Sequence, residues 1–161
     1  MRPVICIATG ALQSIQATIA ASESTLETGG AIFGHEHPLH IKHAAGPGPA
    51  AVHQPHYFLR DLAYTQHIAN ELYAADRSKW IGEWHTHPYG PAEPSTLDLG
   101  TYAGHVADPE LGFDHFVALI CQLNAPSVIV AAWVIRRTDH RIDLLPADIE
   151  VKPPDKGALR R

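Results

Sequence analysis

The chain is expected to fold as one α/β (α+β) domain, a mixed central sheet flanked by helices. Three observations predict this. Segments with the period of strands and segments with the period of helices are interspersed along the chain rather than segregated. Two runs, Phe116–Cys121 (FVALIC) and Val128–Ile135 (VIVAAWVI), are almost uninterruptedly apolar, as strands buried on both faces are. The length of 161 residues suits a single domain with a sizeable core. Residues 1–150 are assigned to that domain, and 151–161, polar with paired prolines, to a C-terminal tail.

In chain order, Val4–Ala8 reads as a short buried strand. Ala11–Ala21 follows as a helix, with Leu12, Ile15 and Ile19 on one face. Residues Glu27–His35 form a strand entered through Gly29 and Gly30. A turn near His37 and Pro38 leads into a second strand, Leu39–Ala44, which completes a hairpin. Gly46–Pro55 (GPGPAAVHQP) is expected as loop, because its prolines and glycines oppose regular pairing. A helix from about Arg60 to Ala75 carries Tyr64, Ile68, Leu72 and Ala75 at helical spacing. Lys79–His87 reads as a strand with Ile81, Glu83, His85 and His87 on one face and Trp80, Gly82, Trp84 and Thr86 on the other. After the Pro88–Pro94 loop, Ser95 caps a helix towards Val106, in which Gly100 and Gly104 are expected to permit close packing. Strands at about Phe113–Cys121, Ser127–Arg136 and Arg141–Leu145 close the domain.

Composition excludes several classes of function. With 12 Lys+Arg against 17 Asp+Glu, a net charge of −5 and no basic run longer than a pair, neither a nucleic-acid binder nor a membrane-surface binder is expected. Cys6 and Cys121 are far apart and form no CxxC, so a disulfide framework and a cysteine zinc finger are both excluded and a reducing compartment fits. Both thiols are expected to be buried and inert. No apolar stretch is long enough to span a bilayer, so a soluble, cytoplasmic protein is expected.

The chemistry concentrates in Glu83-Trp84-His85-Thr86-His87-Pro88, followed by Ser95-Thr96-Leu97-Asp98. Histidines two apart on a strand direct both imidazoles to one side, where they can chelate one divalent metal. Asp98, returned by the loop into the first turn of the next helix, supplies a carboxylate oxygen and leaves a fourth tetrahedral position for water. That is a catalytic zinc arrangement with one ion. A hydrolase then needs a base, and Glu27, just before Gly29-Gly30, is the candidate. Ser95 offers a hydrogen bond to an oxyanion, a role compatible with capping the helix. Glu83 shares the histidine face and is either a brace for a ligand or a surface acid. His35, His37, His40 and His43 look like a second metal cluster but are explained as polar hairpin positions. Trp80, Trp84 and Trp133 read as core or sheet-face residues.

This pattern, Glu27 within ETGG, then His85-Thr86-His87-Pro88, Ser95 and Asp98, resembles the JAMM metalloproteases of the MPN (JAB/Mov34) domain, in particular their small prokaryotic single-domain members. The resemblance extends loosely over residues 3–135. It implies a cytidine-deaminase-like sandwich, zinc held by His85, His87 and Asp98, Glu27 as general base and acid, and Ser95 steadying the oxyanion. It also implies cleavage after the C-terminal Gly-Gly of a ubiquitin-like or sulfur-carrier protein, with E1-like or E2-like operon partners. Two alternatives stand beside it. One is a zinc amidohydrolase acting on a small peptide or cysteine conjugate. The other is a silent MPN-type scaffold, against which the complete residue set counts.

Overall fold

The computed structural model of the chain describes residues 1–124 and 127–154. Strand β1 (Val4–Ala8) leads into helix α1 (Thr9–Ala21), and β2 (Gly29–Glu36) and β3 (Leu39–Ala44) form the expected antiparallel hairpin. Two short strands, β4 (Val52–Gln54) and β5 (Tyr57–Leu59), precede α2 (Leu62–Asp76) and β6 (Lys79–His87). Helix α3 (Thr96–Ala107) and strands β7 (His115–Asn124), β8 (Ser127–Arg137) and β9 (Ile142–Lys152) complete the domain. No helix of the described residues is long and apolar enough to cross a membrane.

The sheet is mixed, in the order β1-β3-β2-β6-β7-β8-β9, and β1 pairs in parallel with both β3 and β9, so the sheet closes on itself. Helix α1 packs Ala11 and Ile15 against one face, in a cluster with Ile5, Ile7, Ile41, Trp84 and Leu119. On the other face, α3 contributes Tyr102 and Val106 beside Phe113 and Phe116, and α2 lays Ile68 and Leu72 against Phe33 and Ala45. Strand β7 feeds both layers: Val117, Leu119 and Cys121 face one, Phe116 and Ala118 the other, as its apolar run predicts. Burial pushes the Cys121 thiol up to about 12, which keeps it inert.

Several sequence expectations are corrected. The Gly46–Pro55 segment is not wholly loop, since Val52–Gln54 pairs antiparallel with Tyr57–Leu59. Its prolines fall outside the three paired residues and take no hydrogen bond from the ladder. Strand β8 is buried on both faces only towards its end. Val128 and Ile129 are exposed because pairing with β9 begins at Ala132. In β6 the alternation slips: Ile32 opposes Gly82 and Phe33 opposes Trp80, leaving Ile81 as an extra residue. The bulge sends Ile81 inward beside Trp84 and turns Trp80 outward to the helices, while Glu83, His85 and His87 keep their shared side. Cys6 is half-buried, Ala75 is exposed, and β9 stays paired with β1 through Lys152, two residues into the expected tail. The tail's residues 155–161 lie outside the described residues.

Gly100 and Gly104 are not packing glycines, because a Cβ at either would meet nothing within 4 Å. Gly30 is one, since its Cβ would lie 2.0 Å from the Ala45 carbonyl oxygen. Gly100→Ala and Gly104→Ala should each stabilise the protein by about 0.5–1 kcal/mol through helix propensity. Gly30→Ala should cost about 1–3 kcal/mol through overpacking. Denaturant titration of the three variants checks both signs.

Candidate metal centre

Strand β6 is hydrogen-bonded on both edges where it carries the histidines, with His85 opposite Gly29 of β2 and opposite Ile120 of β7. Both imidazoles are buried. His87 Nδ1 donates to the Pro91 carbonyl at 2.8 Å, so the neutral ring carries its lone pair on Nε2 and the protonated ring an Nε2–H directed at Asp98. The two Nε2 atoms are 2.9 Å apart. Asp98 Oδ2 lies 3.3 Å from each of them.

Asp98 reaches this point because it is the third residue of α3. Ser95 Oγ accepts from the Asp98 N–H at 3.1 Å, and the Ser95 N–H donates to Asp98 Oδ2 at 2.8 Å, a reciprocal capping box. The helix cap thus aims the carboxylate at the histidines. Burial pushes the Asp98 carboxyl up, but hydrogen bonds from His85 and His87 outweigh it and hold the group well below the usual carboxylate range. Burial likewise depresses His87, yet Asp98 and the Pro91 carbonyl win and its pKa is raised.

A tetrahedral zinc with bonds of about 2.0–2.2 Å needs donors roughly 3.3–3.5 Å apart. The Asp98 oxygen stands at that spacing from both nitrogens, the two nitrogens at 2.9 Å are slightly closer than an ion would hold them, and the donor types suit zinc. A fourth coordination position is left open by this set.

Glu27 precedes β2 and is buried, with Oε1 4.0 Å from His87 Nε2. Its backbone is gripped on both sides: the N–H donates to the Gln54 carbonyl at 2.8 Å, and the carbonyl accepts from His53 Nδ1 at 2.9 Å. Burial raises the Glu27 pKa, partly offset by His85 and His87. Ser95 stands exposed on the rim of a cavity of about 230 Å³ shared with Glu27, His87 and Tyr89. On the other side of Glu27, a cavity of about 130 Å³ is lined by Phe58, Leu59, Arg60, Glu83 and Leu97.

All five residues singled out from sequence, Glu27, His85, His87, Ser95 and Asp98, are thus brought to one cleft. Glu83 is no surface acid: its Oε1 lies 3.6 Å from His85 Nδ1 and its Oε2 3.5 Å from Arg60 Nη1. The histidines of the β2–β3 hairpin do not converge. His43 pairs with Asp76 at 2.7 Å, and His37 stands near Glu36 and Asp114 on the surface. Sequence reasoning missed Arg60, His53, Gln54 and Pro91. The last two act through backbone carbonyls, which carry no residue signature, and a lone arginine or histidine outside a motif has none either.

Residues 10–139 match the family model described as prokaryotic homologs of the JAB domain. A curated Pseudomonas aeruginosa protein named CD-NTase/cGAS isopeptidase is 31% identical over 101 residues, 60% of this chain. The chain spans 64% of that relative's length. The solution structure of protein DSY2949 from Desulfitobacterium hafniense superimposes with a TM-score of 0.66 over 95% of this chain and 96% of that one. At 18% identity the likeness is one of fold.

The opposed shifts of His87 and Asp98 contribute to the pH response of the metal-free protein, against His40, His105 and His115, whose burial lowers their pKa values and favours the fold as pH rises. His87, raised above 6.5, contributes stability that is complete below 6.5 and lost as pH climbs through the raised value. Asp98, depressed below 3.8, contributes stability present above 3.8 and lost only in strong acid. The melting temperature of metal-free wild type should therefore fall relative to that of metal-free His87→Asn as pH rises from about 6 to about 8. With zinc present the trend should reverse, because metal competes with protons for the imidazoles. Thermal scans with and without a chelator check the crossover.

Proposed function

The chain belongs to the prokaryotic JAB-domain family, and on that premise we propose that it is a zinc-dependent metallopeptidase of the JAMM type, an isopeptidase acting on a ubiquitin-like or sulfur-carrier protein. The observation that carries this reading is the convergence of His85, His87 and Asp98 with the buried Glu27 carboxyl 4.0 Å from the nearer imidazole nitrogen. Residues 1–150 form the catalytic domain in this reading, and 151–161 its tail. Cytoplasmic operation with E1-like or E2-like partners belongs to the same proposal.

A zinc ion held by His85, His87 and Asp98 would supply Lewis acidity, polarising the scissile carbonyl and lowering the pKa of a water to about 7. The Pro91 carbonyl keeps His87 in the ligating tautomer. Glu27 takes the proton of the attacking water and delivers it to the leaving amine. Its raised pKa suits both halves of that transfer, because a base and acid works best with a pKa near the operating pH. The Ser95 oxygen accepts from the Asp98 N–H, so its own hydroxyl proton remains to be donated to the developing oxyanion.

The size of the cleft is compatible with the substrate reading, which the family resemblance supplies. Cavities of about 130 and 230 Å³ on either side of Glu27 suit an extended tail with little or no side chain, as Gly-Gly is. The same modest volumes favour, as the second reading, an amidohydrolase for a small peptide or cysteine conjugate.

Glu27→Ala should retain zinc and lose about 10²–10⁴-fold in turnover, the usual contribution of a general base. Asp98→Ala should lose both zinc and activity. Near-normal turnover by Glu27→Ala would remove that residue from its role. Chelation should abolish cleavage and added zinc restore it. Capture from host lysate with zinc-loaded Glu27→Ala, against a His85→Ala control, tests the substrate. A small protein ending or cleaved at Gly-Gly supports the isopeptidase. An empty capture with activity on short peptides supports the amidohydrolase.

A further inference from the structure

The two imidazoles of the metal centre are held by different partners. His87 is fixed by a backbone carbonyl. His85 presents Nε2 to His87 and Asp98, and its Nδ1 faces the Glu83 carboxylate at 3.6 Å. The strand pleat puts Glu83 there, two residues before His85 on the same face. A small rotation of either side chain closes that distance to a hydrogen bond.

The second Glu83 oxygen meets Arg60 Nη1 at 3.5 Å. Arg60 is itself pinned, its guanidinium lying 4.9 Å above the Trp80 ring. A buried ion pair of this kind adds little stability over apolar side chains of equal volume, so stability alone does not account for it. Tyr102, one turn beyond Asp98 on α3, buries its hydroxyl beside the Glu83 carboxylate. Polar groups from β6, from α3 and from the segment between β5 and α2 therefore converge on one carboxylate.

Arg60 directly follows β5, and β4 of the same hairpin holds the Glu27 backbone through Gln54 and His53. The hairpin thus grips the general base with one strand and, through Arg60 and Glu83, the metal strand with the other.

We propose that Glu83 is a positioning residue for His85, that Arg60 holds Glu83 in that role, and that the β4–β5 hairpin thereby keeps metal and general base in one frame. The inference rests on the reading of His85, His87 and Asp98 as zinc ligands. Loss of a group that orients a metal-bound imidazole typically weakens metal binding about 10–100-fold.

Zinc affinity, measured on purified protein by competition with a chromophoric chelator, tests it. Glu83→Gln should bind zinc about 10–100-fold more weakly than wild type. An Arg60→Met/Glu83→Leu double variant leaves no lone buried charge, so it decides the matter if the single variant fails to fold, and it should show the same loss. Long-range proton–nitrogen NMR of the metal-free protein supplies a signal that a merely structural role leaves unmoved. The share of His85 protonated on Nδ1 should be higher in wild type than in the double variant, where Asp98 alone draws the proton to Nε2. Wild type that binds zinc while both variants bind within about threefold, or an unchanged His85 tautomer, overturns the positioning role and leaves the zinc reading standing. Wild type that binds no zinc overturns the zinc reading, and this inference with it.

Discussion

The candidate metal centre depends on a backbone approach that no side chain would tolerate. Where β2 starts, a Cβ on Gly29 would fall 2.3 Å from the Trp84 carbonyl oxygen and 2.9 Å from His85 Cβ. Because that atom is missing, β2 lies flat against the strand that carries the histidines, and Thr28 exchanges hydrogen bonds with Thr86 at 2.8 and 2.9 Å. Glu27, two residues before Gly29, is thereby held within reach of His87. Gly30 repeats the device against the Ala45 carbonyl, which also accepts the Trp84 indole N–H at 2.9 Å. This contact sets the distance at which the Glu27 carboxyl meets the His87 imidazole.

Within that frame, two carboxyls on the same imidazole, Glu27 at 4.0 Å and Asp98 at 3.3 Å from His87 Nε2, acquire opposite characters. Burial acts on both. Asp98 has two imidazoles and the N–H of its own helix cap to favour its charge, whereas Glu27 feels those imidazoles only at longer range. One is held as a permanent anion and the other is pushed towards neutrality. This separation suits the proposed division between Asp98 as ligand and Glu27 as proton carrier, since environment sets the two carboxyls apart. The capping box of α3 matters here as a pointing device: the pairing that satisfies the first turn also aims the Asp98 oxygen at the histidines.

The surrounding architecture serves the same end. The sheet closes through β1 and is covered by α1 on one face and by α2 and α3 on the other, so the histidine strand is a central one with both edges paired. Such a strand has little freedom to shift, and ligands spaced two residues apart on it keep their separation. The bulge at Ile81 spends one residue to turn Trp80 towards α2 and α3, where its ring supports Arg60. The β4–β5 hairpin adds a second, separate clamp around Glu27.

The residues and period of the chain by themselves determined the class of fold, nearly every element, and the five polar residues that meet in the cleft. The reason is that HxH on a strand, a serine cap with an acid three residues on, and paired glycines are local patterns whose geometry follows from backbone periodicity. Tertiary structure alone decided what has no local signature. Closure of the sheet needs pairing between β1 and β9, almost the whole chain apart. The pairing of β4 with β5 emerges from a segment whose composition reads as loop, because its prolines happen to fall outside the paired residues. Glycines in α3 that suggested packing face open space, since a helix's buried side is fixed by what docks on it. Arg60, Gln54 and Pro91 joined the site only when chain reversal brought an ordinary side chain and two ordinary carbonyls beside charged groups in a buried setting, where each hydrogen bond has more consequence than it would in water.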